Sequence, residues 1–232
     1  MKPLCISIFI IFSFFNSKSQ NLTTTPLIGA TIHLKYKNNA GTSFIVSING
    51  SKYLITAKHI FKENNINIKN GSPIKFEIES ASGWIAKYGK VLTHSNDFVD
   101  IAVIDLSEND KSKNTFQIGQ DFIVGQTIFF TGFPFNLSMA YGSGFLNPLL
   151  KRGMVSGIGI DENNVKTIYI DAINNMGFSG GPVFTFENNS LNIIGVVSGY
   201  FSNKQKLFEN ELNSGIMVAI DINYVYEIIN QK

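Results

Sequence analysis

Cysteine is almost missing from this chain: among 232 residues there is one, Cys5, and it sits inside the first apolar stretch. Beyond that stretch there is no thiol, so no disulfide can brace the body of the protein, and stability has to come from a hydrophobic core. A composition with 44% hydrophobic residues supplies one. Long apolar runs are lacking too. The longest, Leu4 to Phe15, has twelve residues, short of the ~20 that a bilayer-spanning helix needs. With Lys2 before it and Asn16-Ser17-Lys18-Ser19 after it, the run has the charged, apolar and small-residue parts of a secretory signal, residues 1–19, with cleavage after Ser19. Cys5 stands too near the start for a usual lipoprotein signal. The sequence thus predicts an exported protein, periplasmic or extracellular, with no stable membrane insertion once the signal is removed.

Charge of one sign is lacking as well. Without residues 1–19, which carry Lys2 and Lys18, 17 basic side chains face 17 acidic ones, and no phosphate-tracking stripe is left for a nucleic acid. The short clusters Lys35, Lys37 and Lys58, or Lys204 and Lys206, read as solvated faces. No zinc signature occurs. Asp161-Glu162-Asn163-Asn164 lacks the ligand alternation and closing glutamate of a calcium loop and reads as a hairpin turn. Asn64-Asn65 and Asn188-Asn189 read as turns, and no internal repeat or long linker is visible.

What the chain does have is Gly177-Phe178-Ser179-Gly180-Gly181-Pro182-Val183. A serine between glycines exposes a hydroxyl nucleophile beside free backbone N–H groups, because residues without Cβ allow a tight turn and close approach of a substrate carbonyl. The N–H groups of Gly177 and Ser179 would form the oxyanion site. Serine is inert at its free pKa and needs a base. Of the three histidines, His59 ends the apolar run Tyr53-Leu54-Ile55 through Thr56-Ala57-Lys58, a placement at the rim of a rigid sheet. His33, on the same side of an alternating strand as Lys35, and His94, in the loop Thr93-His94-Ser95-Asn96, read as surface histidines. For the orienting acid, Asp97, Asp100 and Asp105 compete within one segment. Ile101 to Ile104 reads as a buried strand, which puts Asp100 and Asp105 about 17 Å apart at a rise of ~3.3 Å per residue. Asp100, where loop becomes strand, is better placed to accept the Nδ1–H bond of His59, and Asp97 is the second choice.

Taken in order, Thr56-Ala57-Lys58-His59, Asp100-Ile101-Ala102-Val103 and Gly177-Phe178-Ser179-Gly180-Gly181-Pro182 resemble the chymotrypsin family of serine peptidases. The likeness is closer to its bacterial trypsin-like, HtrA-like branch and spans about residues 27–230. Gly41-Thr42-Ser43-Phe44, Gly132-Phe133-Pro134, Gly153-Met154-Val155-Ser156-Gly157, Gly195-Val196-Val197-Ser198-Gly199 and Gly215 to Ile220 agree with it. The resemblance implies an all-β fold of two six-stranded antiparallel β-barrels, chymotrypsin-like, with a C-terminal helix. Residues 20–116 would form the barrel carrying the histidine and aspartate, and 117–232 the barrel carrying the serine.

Independently of the resemblance, short apolar runs between polar turns indicate barrels or a sandwich. Asn49-Gly50 is the clearest hairpin signal. Further strands read at 74–78, 127–130, 167–170, 183–186, 193–197 and 216–220. Ile222 to Asn230, with Ile222, Val225, Tyr226 and Ile229 at helical intervals, reads as a helix.

By resemblance, the function is a serine endopeptidase acting on polypeptides through an acyl-enzyme, with no cofactor. The pocket for the residue before the cut bond would be floored near Ile173 and walled by Met176 and by Ser198-Gly199-Tyr200. No aspartate stands at its floor, so an apolar side chain is expected there, while the backbone of Ser198 and Tyr200 pairs with substrate. Phe178 replaces the aspartate that pairs with a new N-terminus in animal members, so activation by trimming is not expected. Lys232 ends the chain with no room for a PDZ domain, and residues 20–27 are short for a trimer-forming segment, which favours a monomer. A silent pseudopeptidase used for binding is the alternative, and a plain β-rich adhesion domain a third reading.

Overall fold

The computed structural model describes residues 29–62, 68–106, 115–119, 121–141, 145–187, 190–204 and 211–231. The leader segment, Asn64-Asn65, Asn188-Asn189 and Lys206 fall outside these residues. Six strands, β1 (Thr31–Tyr36), β2 (Asn39–Ile48), β3 (Ser51–Thr56), β4 (Pro73–Ser80), β5 (Gly83–Thr93) and β6 (Ala102–Asp105), close into a barrel in the order β1-β2-β3-β6-β5-β4. Ile48 faces Ser51 across the β2–β3 hairpin, whose turn residues Asn49 and Gly50 have φ of 49° and 81°. Two positive φ values match the right-handed twist of the strands they join.

The apolar runs of β2 and β3 are unbroken because both faces of these strands are covered. Ile45 and Leu54 fill the barrel with Phe76, Val91 and Ile104. Phe44, Val46 and Ile55 point the other way, into a core shared with Phe184, Val196 and Ile220 of the second barrel. Burying one such side chain stabilises the fold by roughly 1.5–3 kcal/mol, so the shared core seats the barrels on each other.

The chain crosses between barrels at 115–119. Phe116 N–H donates to the Ile45 carbonyl (2.9 Å) and Gly119 N–H to the Ile193 carbonyl (2.8 Å), and β7 (Gln117–Ile118) lies between them. The second barrel comprises β8 (Thr127–Gly132), β11 (Leu149–Ile160), β12 (Lys166–Asp171), β13 (Pro182–Glu187), β14 (Ser190–Lys204) and β15 (Glu211–Asp221). Its order is β13-β8-β11-β12-β15-β14, closed by β13 on β14, and β7 adds parallel to β14. A small hairpin, β9 (Met139–Tyr141) and β10 (Phe145–Asn147), follows β8. The fold is therefore two six-stranded antiparallel barrels with a C-terminal helix, and not a sandwich. Among the described residues, no helix is long and apolar enough to cross a membrane.

The helix α1 (Tyr224–Asn230) begins two residues later than the periodicity predicts. Ile222 still packs in the shared core, from the turn before the helix, and Val225 and Ile228 are its buried residues while Ile229 is partly covered. Asp161 behaves as the expected turn residue, its Oδ1 accepting the N–H groups of Asn163 and Val165 (2.9 Å each).

Two expectations about charged faces are corrected. His33 is 1% exposed. Alternation does turn it out of the first barrel, but the second barrel covers that face: its ring stacks on Phe133 at 4.8 Å and its Nδ1 pairs with Glu79 at 2.7 Å. Lys58 is 4% exposed, its ammonium held by the Asp97 carbonyl in the loop before β6, and belongs to no solvated face. His94 also leaves the plain surface class, being half-buried with Nε2 3.0 Å from Glu227 and its ring beside Tyr224.

Candidate active site

His59 lies on a 3-10 turn, Lys58–Phe61, that follows β3. Ala57 before it and Ile60 and Phe61 after it drop into the first barrel, and the histidine between them keeps its ring 44% exposed at the cleft. Asp100 precedes β6 and reaches the turn with both oxygens. Its Oδ1 accepts the backbone N–H of His59 (2.9 Å), and its Oδ2 lies 2.8 Å from His59 Nδ1. Burial opposes ionisation of Asp100, yet hydrogen bonds from His59 and Ser198, with the His59 charge, hold its pKa below the ordinary value. An ionised carboxylate only accepts, so Nδ1 carries the proton and the lone pair of Nε2 is free to take one. Burial opposes protonation of His59 as well; the bond to Asp100 and its charge outweigh burial and Lys62, and the pKa is raised.

Asp97, the second choice for the acid, lies away from the imidazole. Its carboxylate is 82% exposed and 3.8 Å from Lys58 Nζ, and its carbonyl accepts from the same ammonium at 2.5 Å. Lys58 thus ties the aspartate loop to the histidine turn. Burial pulls the Lys58 pKa down against the charges of Asp97 and Asp100.

Ser179 comes from the second barrel, in a loop pinned at every residue around it. Met176 carbonyl accepts Phe135 N–H (2.9 Å), Ser179 carbonyl accepts Thr42 N–H (2.8 Å), and Gly180 N–H donates to Val197 (2.7 Å). Thr42 Oγ1 donates to the Gly177 carbonyl at 2.7 Å. Phe178 is fully buried, 5.0 Å from the Phe130 ring. Among the described residues, the N–H groups of Gly177 and Ser179 have no acceptor, so they are the donors this loop keeps in reserve. Gly177 has φ of 100°, and a Cβ there would lie 2.3 Å from the Phe133 carbonyl oxygen; only glycine fits this turn.

The Ser179 hydroxyl donates to the Ser198 carbonyl at 3.3 Å. His59 and Ser179 line one cleft together with Gly177 and Met176. Ile173 is 58% exposed, and Ser198, Gly199 and Tyr200 run along β14; neither Ile173 nor these three line the cleft. Asn174, 1% exposed, crosses between the two stretches by donating to the Gly199 carbonyl at 3.1 Å.

Sequence reasoning passed over three contributors. Ser198 offers its hydroxyl as well as its backbone, donating to Asp100 Oδ2 at 2.6 Å. Thr42 and Lys58 brace the serine loop and the aspartate loop. All three stood in segments already noted for their likeness, Gly41 to Phe44, Thr56 to His59 and Gly195 to Gly199, but no local signal marks these long-range contacts. Among the described residues, no group of three or more His, Cys, Asp or Glu side chains is close enough to hold a metal ion.

Comparison with known proteins bears on this geometry. The profile of the trypsin-like peptidase domain matches residues 41–196. The serine endoprotease DegS of Haemophilus influenzae is 24% identical over 194 residues, covering 84% of this chain and 50% of that protein. The serine protease Do-like HtrA of Bacillus subtilis is 27% identical over 192 residues, 79% of this chain and 36% of that protein. The chain thus spans half or less of the length of these curated relatives. Among solved structures, the HtrA-type protease AlgW with tripeptide superposes with a TM-score of 0.64 at 20% identity, over 92% of this chain and 63% of that one. The serine endoprotease from Yersinia pestis gives 0.60 at 18%, over 92% and 66%. Both share the fold.

Proposed function

The chain belongs to the trypsin-like peptidase domain family, HtrA- and DegS-like, and on that premise we propose that it is an exported serine endopeptidase using His59, Asp100 and Ser179. The observation that carries the reading is the double engagement of Asp100 with His59, on the cleft where Ser179 and two unoccupied amides also lie. In this reading His59 Nε2 takes the Ser179 proton as Oγ bonds to the peptide carbonyl carbon. Asp100 stabilises the imidazolium, and the Gly177 and Ser179 N–H groups hold the oxyanion. The C–N bond then breaks, with the proton passing from His59 to the leaving amine. Water, deprotonated by His59, attacks the acyl-enzyme and releases the acid, restoring Ser179. Turnover begins when the Ser179 hydroxyl gives up the Ser198 carbonyl for His59.

Acyl-side recognition is proposed to use Met176, Ile173 and the Ser198-Gly199-Tyr200 stretch, with an apolar residue of modest size before the cut bond. Export rests on the leader-like residues 1–19; a related protein of Halomonas elongata is named a probable periplasmic endoprotease. The working unit is proposed to be a monomer.

A fluorophosphonate probe tests the nucleophile. Wild-type protein is expected to be labelled, Ser179→Ala to be unlabelled and His59→Ala to be labelled at a strongly reduced rate. An unlabelled wild type would leave the binding-module reading in its place. The raised His59 pKa sets a second test. A general base must be neutral, so kcat/KM is expected to rise with pH and reach half its plateau above the ordinary histidine value of 6.5. A profile flat from pH 5 to 8 would remove His59 as the base.

A further inference from the structure

We propose that the cleft beside Ser179 is a binding site for the leaving-group half of the substrate, and that it selects a large apolar residue just after the cut bond. The proposal rests on the peptidase reading above and names where that enzyme exerts its choice.

Position comes first. The cleft, about 560 Å³, is walled by Ala40, Ile60, Phe135 and Met176. The 198–200 stretch of β14, where the acyl half is expected to pair, contributes nothing to it. A chain whose acyl half lies along β14 leaves Ser179 in the opposite direction, into this cleft. On the acyl side, Asn174 bridges the two walls by its bond to the Gly199 carbonyl.

The wall at Phe135 is held in an uncommon backbone state. Phe135 and Asn136 are consecutive non-glycine residues with φ of 54° and 57°, a left-handed conformation that side chains disfavour. It is held by Phe135 N–H donating to the Met176 carbonyl and Leu137 N–H donating to the Pro134 carbonyl, 2.9 Å each. The result is that Phe135, 65% exposed, lines the cleft together with Met176, itself 73% exposed. Strained backbone that presents an apolar ring beside reacting groups is the pattern of a ligand clamp.

The lining chemistry sets the occupant. Its polar members besides His59 and Ser179 are Asn38, Asn39 and Asn136, and among the described residues no Asp, Glu, Lys or Arg lines it. The Asn39 amide is committed to the Ile60 and Lys62 carbonyls, at 3.1 and 3.0 Å. A charged side chain entering here would lose water without meeting an oppositely charged group among the described lining residues. An apolar one would shed water against Phe135, Met176 and Ile60, an effect on the order of tenfold in binding for partial burial.

The test uses the full chain. Labelling of Ser179 by a fluorophosphonate first establishes the nucleophile. The acyl-enzyme formed from the p-nitrophenyl ester of N-acetylalanine is then partitioned between water and amino-acid amides, so that only the leaving-group side is probed. Phenylalaninamide and leucinamide are expected to capture the acyl group about tenfold better than alaninamide, and aspartamide worse than alaninamide. Phe135→Ala is expected to reduce the leucinamide-to-alaninamide ratio to within about threefold, with Phe135→Leu keeping most of it. Met176→Ala serves as a second variant with the same expected direction should Phe135→Ala not fold. Equal capture of all amides by a labelled enzyme, or a preference untouched by both alanine variants, overturns this site alone. A wild type that the probe does not label overturns the peptidase reading and this site with it.

Discussion

Asp100→Asn is expected to lower kcat about 10⁴-fold while the protein stays folded. The reason is in how the carboxylate is held. Its Oδ1 sits against the backbone N–H of His59, a group that can only donate. Asparagine therefore keeps its oxygen there and turns its NH₂ toward His59 Nδ1, which Oδ2 faces in the native protein at 2.8 Å. An NH₂ group donates, so Nδ1 must become an acceptor and the ring proton moves to Nε2. The imidazole is then in the wrong tautomer to take the Ser179 proton. Peptide turnover and the rate of fluorophosphonate labelling are both expected to fall, with the thermal midpoint changed far less. A loss below tenfold with the fold intact would show that Asp100 does not orient the base, and the proposed triad would have to be redrawn.

Gly180→Ala is expected to produce the largest loss of stability among single methyl additions. Gly180 has φ of 83°, and a Cβ on it would lie 2.1 Å from the Thr42 carbonyl oxygen and 2.8 Å from the Ala57 nitrogen. These are backbone atoms at β2 and just after β3, where Thr42 also bonds to the serine loop. Neither can retreat without opening the seam between the barrels. Left-handed strain adds ~1–2 kcal/mol, and with the overlap a total of about 4 kcal/mol or more is expected. For a chain of this size that lowers the thermal midpoint by roughly 10 °C. Calorimetry checks it. A shift under about 2 °C would mean that the seam yields, and that close packing does not hold Ser179 in place.

The same seam explains why some residues were legible in the sequence and others were not. The Asn49-Gly50 turn, the strands around it and the tail helix are short-range signals, carried by φ preferences and by periods of two and 3.6 residues. Each operates within a few neighbours, so it survives whatever the rest of the chain does. Asp100 could be separated from Asp105 for the same reason, since strand length alone puts them at opposite ends. His33 shows where this stops. Alternation correctly turned its ring out of the first barrel but carried no information about Phe133, one hundred residues on, which covers it.

Burial of Lys58, the turn in which Phe135 meets Met176, and the side of Ser179 on which the cleft opens belong to the same class. So do the bond from Ser198 to Asp100, 98 positions apart, and the bond from Thr42 to Gly177, 135 apart. A pattern of apolar and polar residues says that a face is covered without saying by what. Here the cover is the other barrel, and its seating follows from a shared core built by both halves of the chain at once. Local chemistry therefore wrote the strands, the turns and the candidate nucleophile, while the docking of two barrels chose which distant side chains surround it.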